Sequence, residues 1–415
     1  MPFVRAVLVR GVRAKGLAEL AKMLNHRPSA LGFTWLLVAC SGGSDGAGTA
    51  SAAGSAALAG SAGVAGVNTG GAGASAAGSG GRASGGASNL GGNVGAAGAF
   101  ATAGAASGAS GGGGTGGGTG GGSSGPVKPT LRNGKWAFDM GDVTLEVDPQ
   151  TGGRITTFAL GGVNVLTDPT VNPTYWGSTL WISPEAALWQ QPPPAPIDSD
   201  PYVTVATDTS VTLAGMPYAS AKLSASAVKI ISADTTLGAF KLEYRVINNA
   251  PSAVSLAPWE VTRVFPRGLT FFPTGPSTSL SVGATLPTTN AGGLTWFAYD
   301  ASAATANSKL YADGAEGWVA HIADGLVFIK SFADLSADKI APKEGDVELF
   351  TTTATPAMGQ PYVELENQGA YGPVAPGAST SWSVTWFLRK LPMDLEPSVG
   401  NAALAAFVRD TIAGK

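Results

Sequence analysis

From about residue 127 onward, apolar side chains recur at every second position. Val143, Leu145 and Val147 alternate with Thr144 and Glu146; Leu242, Tyr244 and Val246 alternate with Glu243 and Arg245. Trp382, Val384 and Trp386 repeat the pattern near the C-terminus. A period of two predicts half-buried β-strands. Asn133-Gly134, Gly161-Gly162 and Asp324-Gly325 sit where hairpins should turn. Gly317–Ile322 and Leu326–Phe332 form the two arms of one such predicted hairpin. Only Asn401–Ile412 changes period: Leu404, Phe407 and Val408 share one stripe, which predicts a short C-terminal helix. Many short strands with little helix predict an all-β fold of antiparallel sheets. About 290 residues exceed one immunoglobulin-like sandwich of ~100, so two extensive sheets are expected. Thr167–Pro201, rich in Pro and Trp, is expected to be a long insertion between strands.

The pattern is different before residue 127. Residues 1–29 hold six bases and one acid, and a short apolar run leads to Leu37-Val38-Ala39-Cys40. That run is too short to cross a bilayer, which needs about 20 apolar residues. Its order of basic, apolar and small residues is that of a secretory signal. The Leu-x-Ala-Cys ending resembles the lipobox of bacterial lipoproteins. It implies that Cys40, the only cysteine, carries lipid and anchors the chain to the membrane. Ser41 rather than Asp at the next position points to the outer membrane of the cell envelope. Residues 41–126 are nearly all Gly, Ala, Ser and Thr, too poor in large apolar groups to offset their ordering entropy. They are expected to form a disordered tether with a span of roughly 50 Å. The organisation is therefore a signal region at 1–40, a linker at 41–126 and one β domain at 127–415.

Of 25 bases and 28 acids, the first 126 residues hold seven and two, leaving the domain near a charge of −8. An acidic domain without basic clusters argues against nucleic acid as a partner. No cofactor motif is present, and within the domain no second histidine or cysteine joins His321 to bind metal, His26 and Cys40 lying in the signal region. Three stretches carry candidate chemistry. The first is Tyr175–Glu185, with Trp181, Glu185 and nearby Trp189 and Asp198: indole faces stack on sugar C–H faces while carboxylates meet the hydroxyls. The second is Trp259–Phe265, where Trp259, Val261 and Arg263 share one strand face and Glu260 and Thr262 the other. One of these faces should be a site and the other a packing surface. The third is Tyr362–Gln368, placing Tyr362, Glu364 and Glu366 on one face, with the carboxylates roughly 7 Å apart. His321 falls on a predicted strand and is a candidate proton carrier. The bland alternatives remain open for each: capping aromatics, surface ion pairs, solvated acids and a structural histidine.

Together these pieces resemble the galactose-mutarotase-like superfamily of β-supersandwich proteins. The resemblance is carried by Thr151-Gly152-Gly153-Arg154-Ile155, Gly161–Leu166, Trp181–Glu185, Val246-Ile247-Asn248-Asn249, Trp259-Glu260-Val261-Thr262, Leu365-Glu366-Asn367-Gln368 and Ala375-Pro376-Gly377. It covers most of 130–390 and points to an uncharacterised branch. It implies a carbohydrate ligand, a wall formed by Arg154, Trp181, Glu185, Trp259, Arg263, Lys330 and Glu364, and Glu366 as the general base of an aldose-1-epimerase-like reaction. The two histidines used by ordinary mutarotases have no counterparts here. Glu260, Lys330 and His321 stay open as the acid. Three functions follow: a surface-anchored carbohydrate-binding protein, an active sugar epimerase, or a structural envelope lipoprotein.

Overall fold

The three dipeptides Asn133-Gly134, Gly161-Gly162 and Asp324-Gly325 each close a two-residue hairpin. All six residues have positive φ, as the favoured hairpin turn requires. The structure is a computed structural model that describes residues 126–277, 280–283, 286–302, 307–353 and 359–415. Cys40, the signal region and the tether as far as residue 125 lie outside the described residues.

The described strands form two antiparallel sheets. The centre of the first runs through Arg154–Leu160, Ser178–Ser183, Val254–Val264, Val363–Gln368, Val347–Thr351 and Ser308–Ala312 in that spatial order. The centre of the second runs through Leu269–Pro273, Trp318–Ala323, Leu326–Phe332, Ser379–Lys390, Ala239–Asn248 and Ser224–Asp234. Their inner faces meet in one core. There Phe158 packs edge-on against Phe240 at 6.0 Å and Phe328 at 5.3 Å, and Phe328 meets Trp386 at 4.9 Å. The second sheet is covered outside by the Ala402–Ile412 helix, whose Leu404, Ala405 and Val408 pack with Phe271, Trp318 and Ile329. The Asn401 side chain caps that helix by accepting from the Ala403 amide at 3.0 Å.

The expected 167–201 insertion is interrupted. Ser178–Ser183 is a central strand, with all six residues buried. A strand covered on both faces loses the alternation that marks a half-buried one, and its Pro- and Trp-rich flanks disguise it further. The flanks fold as loops with two one-turn helices, Glu185–Leu188 and Ala195–Asp198, so helix is not confined to the C-terminus. The Gly152-Gly153 turn explains itself locally. Gly152 has φ +64°, and a Cβ there would lie 1.8 Å from the carbonyl oxygen of Asp198. The carbonyls of both glycines accept from the buried Lys229 ammonium at 2.7 and 3.0 Å. Burial pulls that lysine down to about 7, although Asp198 opposes the shift.

Candidate functional site

Directly opposed residues of antiparallel strands share a face, so the register fixes which side chains meet. On the outer face of the first sheet, Trp259 lies between Trp181 and Gln368, Val261 between Thr179 and Glu366, and Arg263 beside Glu364. Glu366 then faces Glu348, Glu364 faces Phe350, Phe350 faces Lys309, and Glu348 faces Tyr311. Loops bearing Tyr175, Gln191, Glu344 and Tyr371 and the one-turn helix that starts at Glu185 rise around this face and enclose a cleft of about 940 Å³. Its walls are aromatic: Tyr175, Tyr311, Phe350 and Tyr371 are half-buried, and Trp181 and Trp259 are almost covered.

The floor is a set of paired charges. Lys309 Nζ contacts Glu348 Oε2 at 2.7 Å and both oxygens of Glu366 at 2.5 and 2.6 Å. It also lies 5.1 Å from the Trp259 ring centre and 5.3 Å from that of Tyr311. Burial disfavours its charge, but Glu348, Glu366 and Glu364 outweigh that and raise its pKa. Glu348 is pushed well above the usual carboxylate range by burial, against the pull of Lys309. Arg263 donates from Nε to Glu364 at 2.8 Å, and its guanidinium sits 5.0 Å from the Trp181 ring and 5.4 Å from Tyr175. Burial raises Glu364 to about 7; Arg263 opposes this and Glu366 adds to it.

Behind this face, Trp181 donates its indole N–H to Asp198 at 2.7 Å. Asp198 is held in turn by Arg154 at 3.1 Å. Arg154 also donates to the carbonyls of Thr174 and Trp176 at 2.9 and 3.1 Å, fixing the loop that carries Tyr175. It is buried and does not reach the cleft, so its place is to position Trp181 and Tyr175 rather than to line the wall. Arg263 is likewise fully covered and lies beneath the aromatic wall. Trp181, Glu185, Trp259 and Glu364 do line the cleft. Glu366 lies in its floor, fully buried under Lys309.

The three candidate acids lie elsewhere. Glu260 points between the sheets, where it accepts from Tyr244 Oη at 2.5 Å and Trp386 Nε1 at 3.1 Å and pairs with Lys330 at 2.8 Å. Lys330 completes its contacts on Thr262 Oγ1 and the Leu365 carbonyl. Both are fully buried, so this pair is part of the core, not of the wall. His321 belongs to the second sheet, with Nδ1 2.9 Å from Thr270 Oγ1. Burial lowers it to about 4, with Arg267 adding and Asp324 opposing, which leaves the ring neutral near pH 7. Hydrophobic alternation separates the faces of Val254–Val264 correctly, but nothing in a single strand says which face a second sheet will cover.

Lys309, Tyr311, Glu344 and Glu348 escaped the sequence reading. A signal existed for one of them: Val347-Glu348-Leu349 repeats Val363-Glu364-Leu365, and the two strands are neighbours.

The chain is a two-sheet antiparallel β-sandwich similar to galactose mutarotase-like proteins. It belongs to the family described as Domain of unknown function (DUF4380), whose model matches residues 135–389. No curated protein sequence matches it. Similar solved structures include a galactose mutarotase-like protein from Lactobacillus casei, 10% identical with a TM-score of 0.45, covering 62% of this chain and 100% of that one. A galactose mutarotase related enzyme from Lactobacillus acidophilus is 8% identical with a TM-score of 0.44, covering 63% and 99%. A TPR-domain containing protein from Parabacteroides distasonis is 13% identical with a TM-score of 0.44 over 64% of this chain; this chain spans 49% of its length.

Proposed function

We propose that the cleft on the outer face of the first sheet binds a carbohydrate. One observation carries this reading: half-buried tyrosines stand around a floor of buried, mutually paired carboxylates and cations. Aromatic faces suit the C–H face of a sugar ring, and rim carboxylates and amides suit its hydroxyls. A panel of monosaccharides screened by thermal shift tests it. A binder should raise the melting temperature in a dose-dependent way; no shift with any sugar would leave a structural lipoprotein as the better account.

Turnover is a second reading, favoured by Glu364 at about 7, where a carboxyl group can both take and give a proton near neutrality. In it Glu366 would be the base in ring opening. Lys309 would first have to release both of its oxygens. Polarimetry on any binder decides: binding without faster anomerisation sinks the enzyme reading. If anomerisation is accelerated, full activity in Glu366→Gln removes that residue as the base.

We propose further that the domain sits on the cell surface, tethered through lipid on Cys40 to the outer membrane. Labelled palmitate should be incorporated into the native chain and lost in Cys40→Ser. Undiminished labelling of the variant would refute the anchor.

A further inference from the structure

Carboxyl groups outnumber cations around the cleft. Five, those of Glu185, Glu344, Glu348, Glu364 and Glu366, stand against three cations, Arg263, Lys309 and Lys343. The excess is local. Arg263 is committed to Glu364, and Lys309 to Glu348 and Glu366. Lys343 is exposed at the rim, outside any ion pair among the described residues. Glu185 and Glu344 are the two carboxylates left over. Glu344 Oε1 accepts from the backbone amide of Glu185 at 3.2 Å, which holds the two residues side by side at the mouth. Among the described residues the only side-chain donor to Glu185 is the neutral amide of Gln191, at 3.1 Å. Among the described residues neither acid has an ion-pair partner, and both are half-buried.

Burial pushes Glu344 up to about 7, with Glu366 and Glu185 adding to it and Lys309 opposing. Burial raises Glu185 too. Such acids gain most from a positive charge brought to them. The surroundings suit one, since aromatic faces attract cations and Tyr175 and Tyr311 stand in the same wall. A second, independent feature also points to an occupant. Among the described residues the buried indole N–H of Trp259, a residue lining the cleft, has no hydrogen-bond partner; a ligand hydroxyl is the kind of acceptor it lacks.

We propose that the cleft selects a sugar bearing a free primary ammonium group, seated between Glu185 and Glu344 against the tyrosine wall. This rests on the carbohydrate reading and deepens it. A neutral sugar would leave the two acids uncompensated, and an anionic sugar would meet them as like charges.

The test is a calorimetric titration at neutral pH with matched sets: D-galactosamine, N-acetyl-D-galactosamine and D-galactose, then the three gluco counterparts. The free amine should bind at least about tenfold tighter than its N-acetylated and neutral partners. Glu185→Gln and Glu344→Gln should each remove most of that preference, weakening the free amine at least about tenfold more than its N-acetylated and neutral partners. Both variants remove a poorly compensated charge, so both should fold. Equal affinity across a matched set, or a preference unchanged in both variants, overturns the ammonium proposal and leaves the carbohydrate reading standing. Binding of ethanolamine with no sugar bound at all overturns the carbohydrate reading and, with it, the amino-sugar assignment.

Discussion

Lys330→Ala is expected to destabilise the folded domain by about 3–5 kcal/mol, the usual result of removing one partner from a buried ion pair. Lys330 and Glu260 are both fully covered between the sheets. Without the ammonium, Glu260 keeps Tyr244 and Trp386 as donors but carries an uncompensated charge in an apolar core. Thr262 Oγ1 and the Leu365 carbonyl lose a donor as well. The pair is not itself evidence of high stability, because desolvation offsets much of its attraction. The combined Glu260→Gln, Lys330→Met variant should therefore recover much of the loss, with the new amide still accepting from Tyr244. Urea denaturation of the three proteins checks this. A single-variant loss under about 1 kcal/mol would mean that water or a rearranged partner reaches Glu260.

Arg263→Ala should show a comparable loss with a distinctive pH dependence. Its guanidinium is the counter-ion of the buried Glu364. Glu364 already stands at about 7 in the folded protein, against an ordinary 4.5. A carboxyl group whose folded value lies above its unfolded one holds its proton more tightly when folded. Its contribution to stability is then fully present below the unfolded value and is lost as pH rises to the folded value. In the native protein that loss runs between 4.5 and about 7. Removing Arg263 raises the folded value further, so the loss continues at higher pH. The deficit of Arg263→Ala should be about 3–5 kcal/mol at about pH 8 and clearly smaller at about pH 5, where Glu364 is protonated in both proteins. Part of it persists at acid pH, because Tyr175 and Trp181 lose the guanidinium they pack on. Equal deficits at both pH values would show that Glu364 is not the group left behind.

Much of this architecture was legible as period and punctuation. The turn dipeptides marked three hairpins, and the stripe of Leu404, Phe407 and Val408 marked the covering helix. Alternation also put Trp259 with Arg263, and Glu364 with Glu366, on single faces. It could not say which face becomes a cleft, because Glu260 and Thr262 lie on a face just as thoroughly buried as that of Trp259. Choosing between them needs the second sheet, and hence Lys330, Tyr244 and Trp386 from distant strands. The Ser178–Ser183 strand was hidden for a related reason: covered on both sides, it has no polar face to reveal its period. Lys309 was hidden by strand order. It meets Glu366 from 57 residues away, a neighbour relation that only the Ser308–Ala312, Val347–Thr351 and Val363–Gln368 sequence of strands creates. The resemblance carries Glu366, Trp181 and Trp259, while Lys309, Glu348 and Tyr175, which also surround them, come from segments outside its motifs.

Tyr311 tests whether the cleft is a sugar site with least disturbance to the core. It is half-buried on the wall, next to Lys309 rather than beneath it. Isothermal titration of the strongest-binding sugar into the native domain and into Tyr311→Ala is the direct measurement. The native domain should bind, and the variant should bind at least about tenfold more weakly while keeping its melting temperature within a few degrees. No binding by the native domain, or equal affinity in the two proteins, would contradict a sugar site in this cleft.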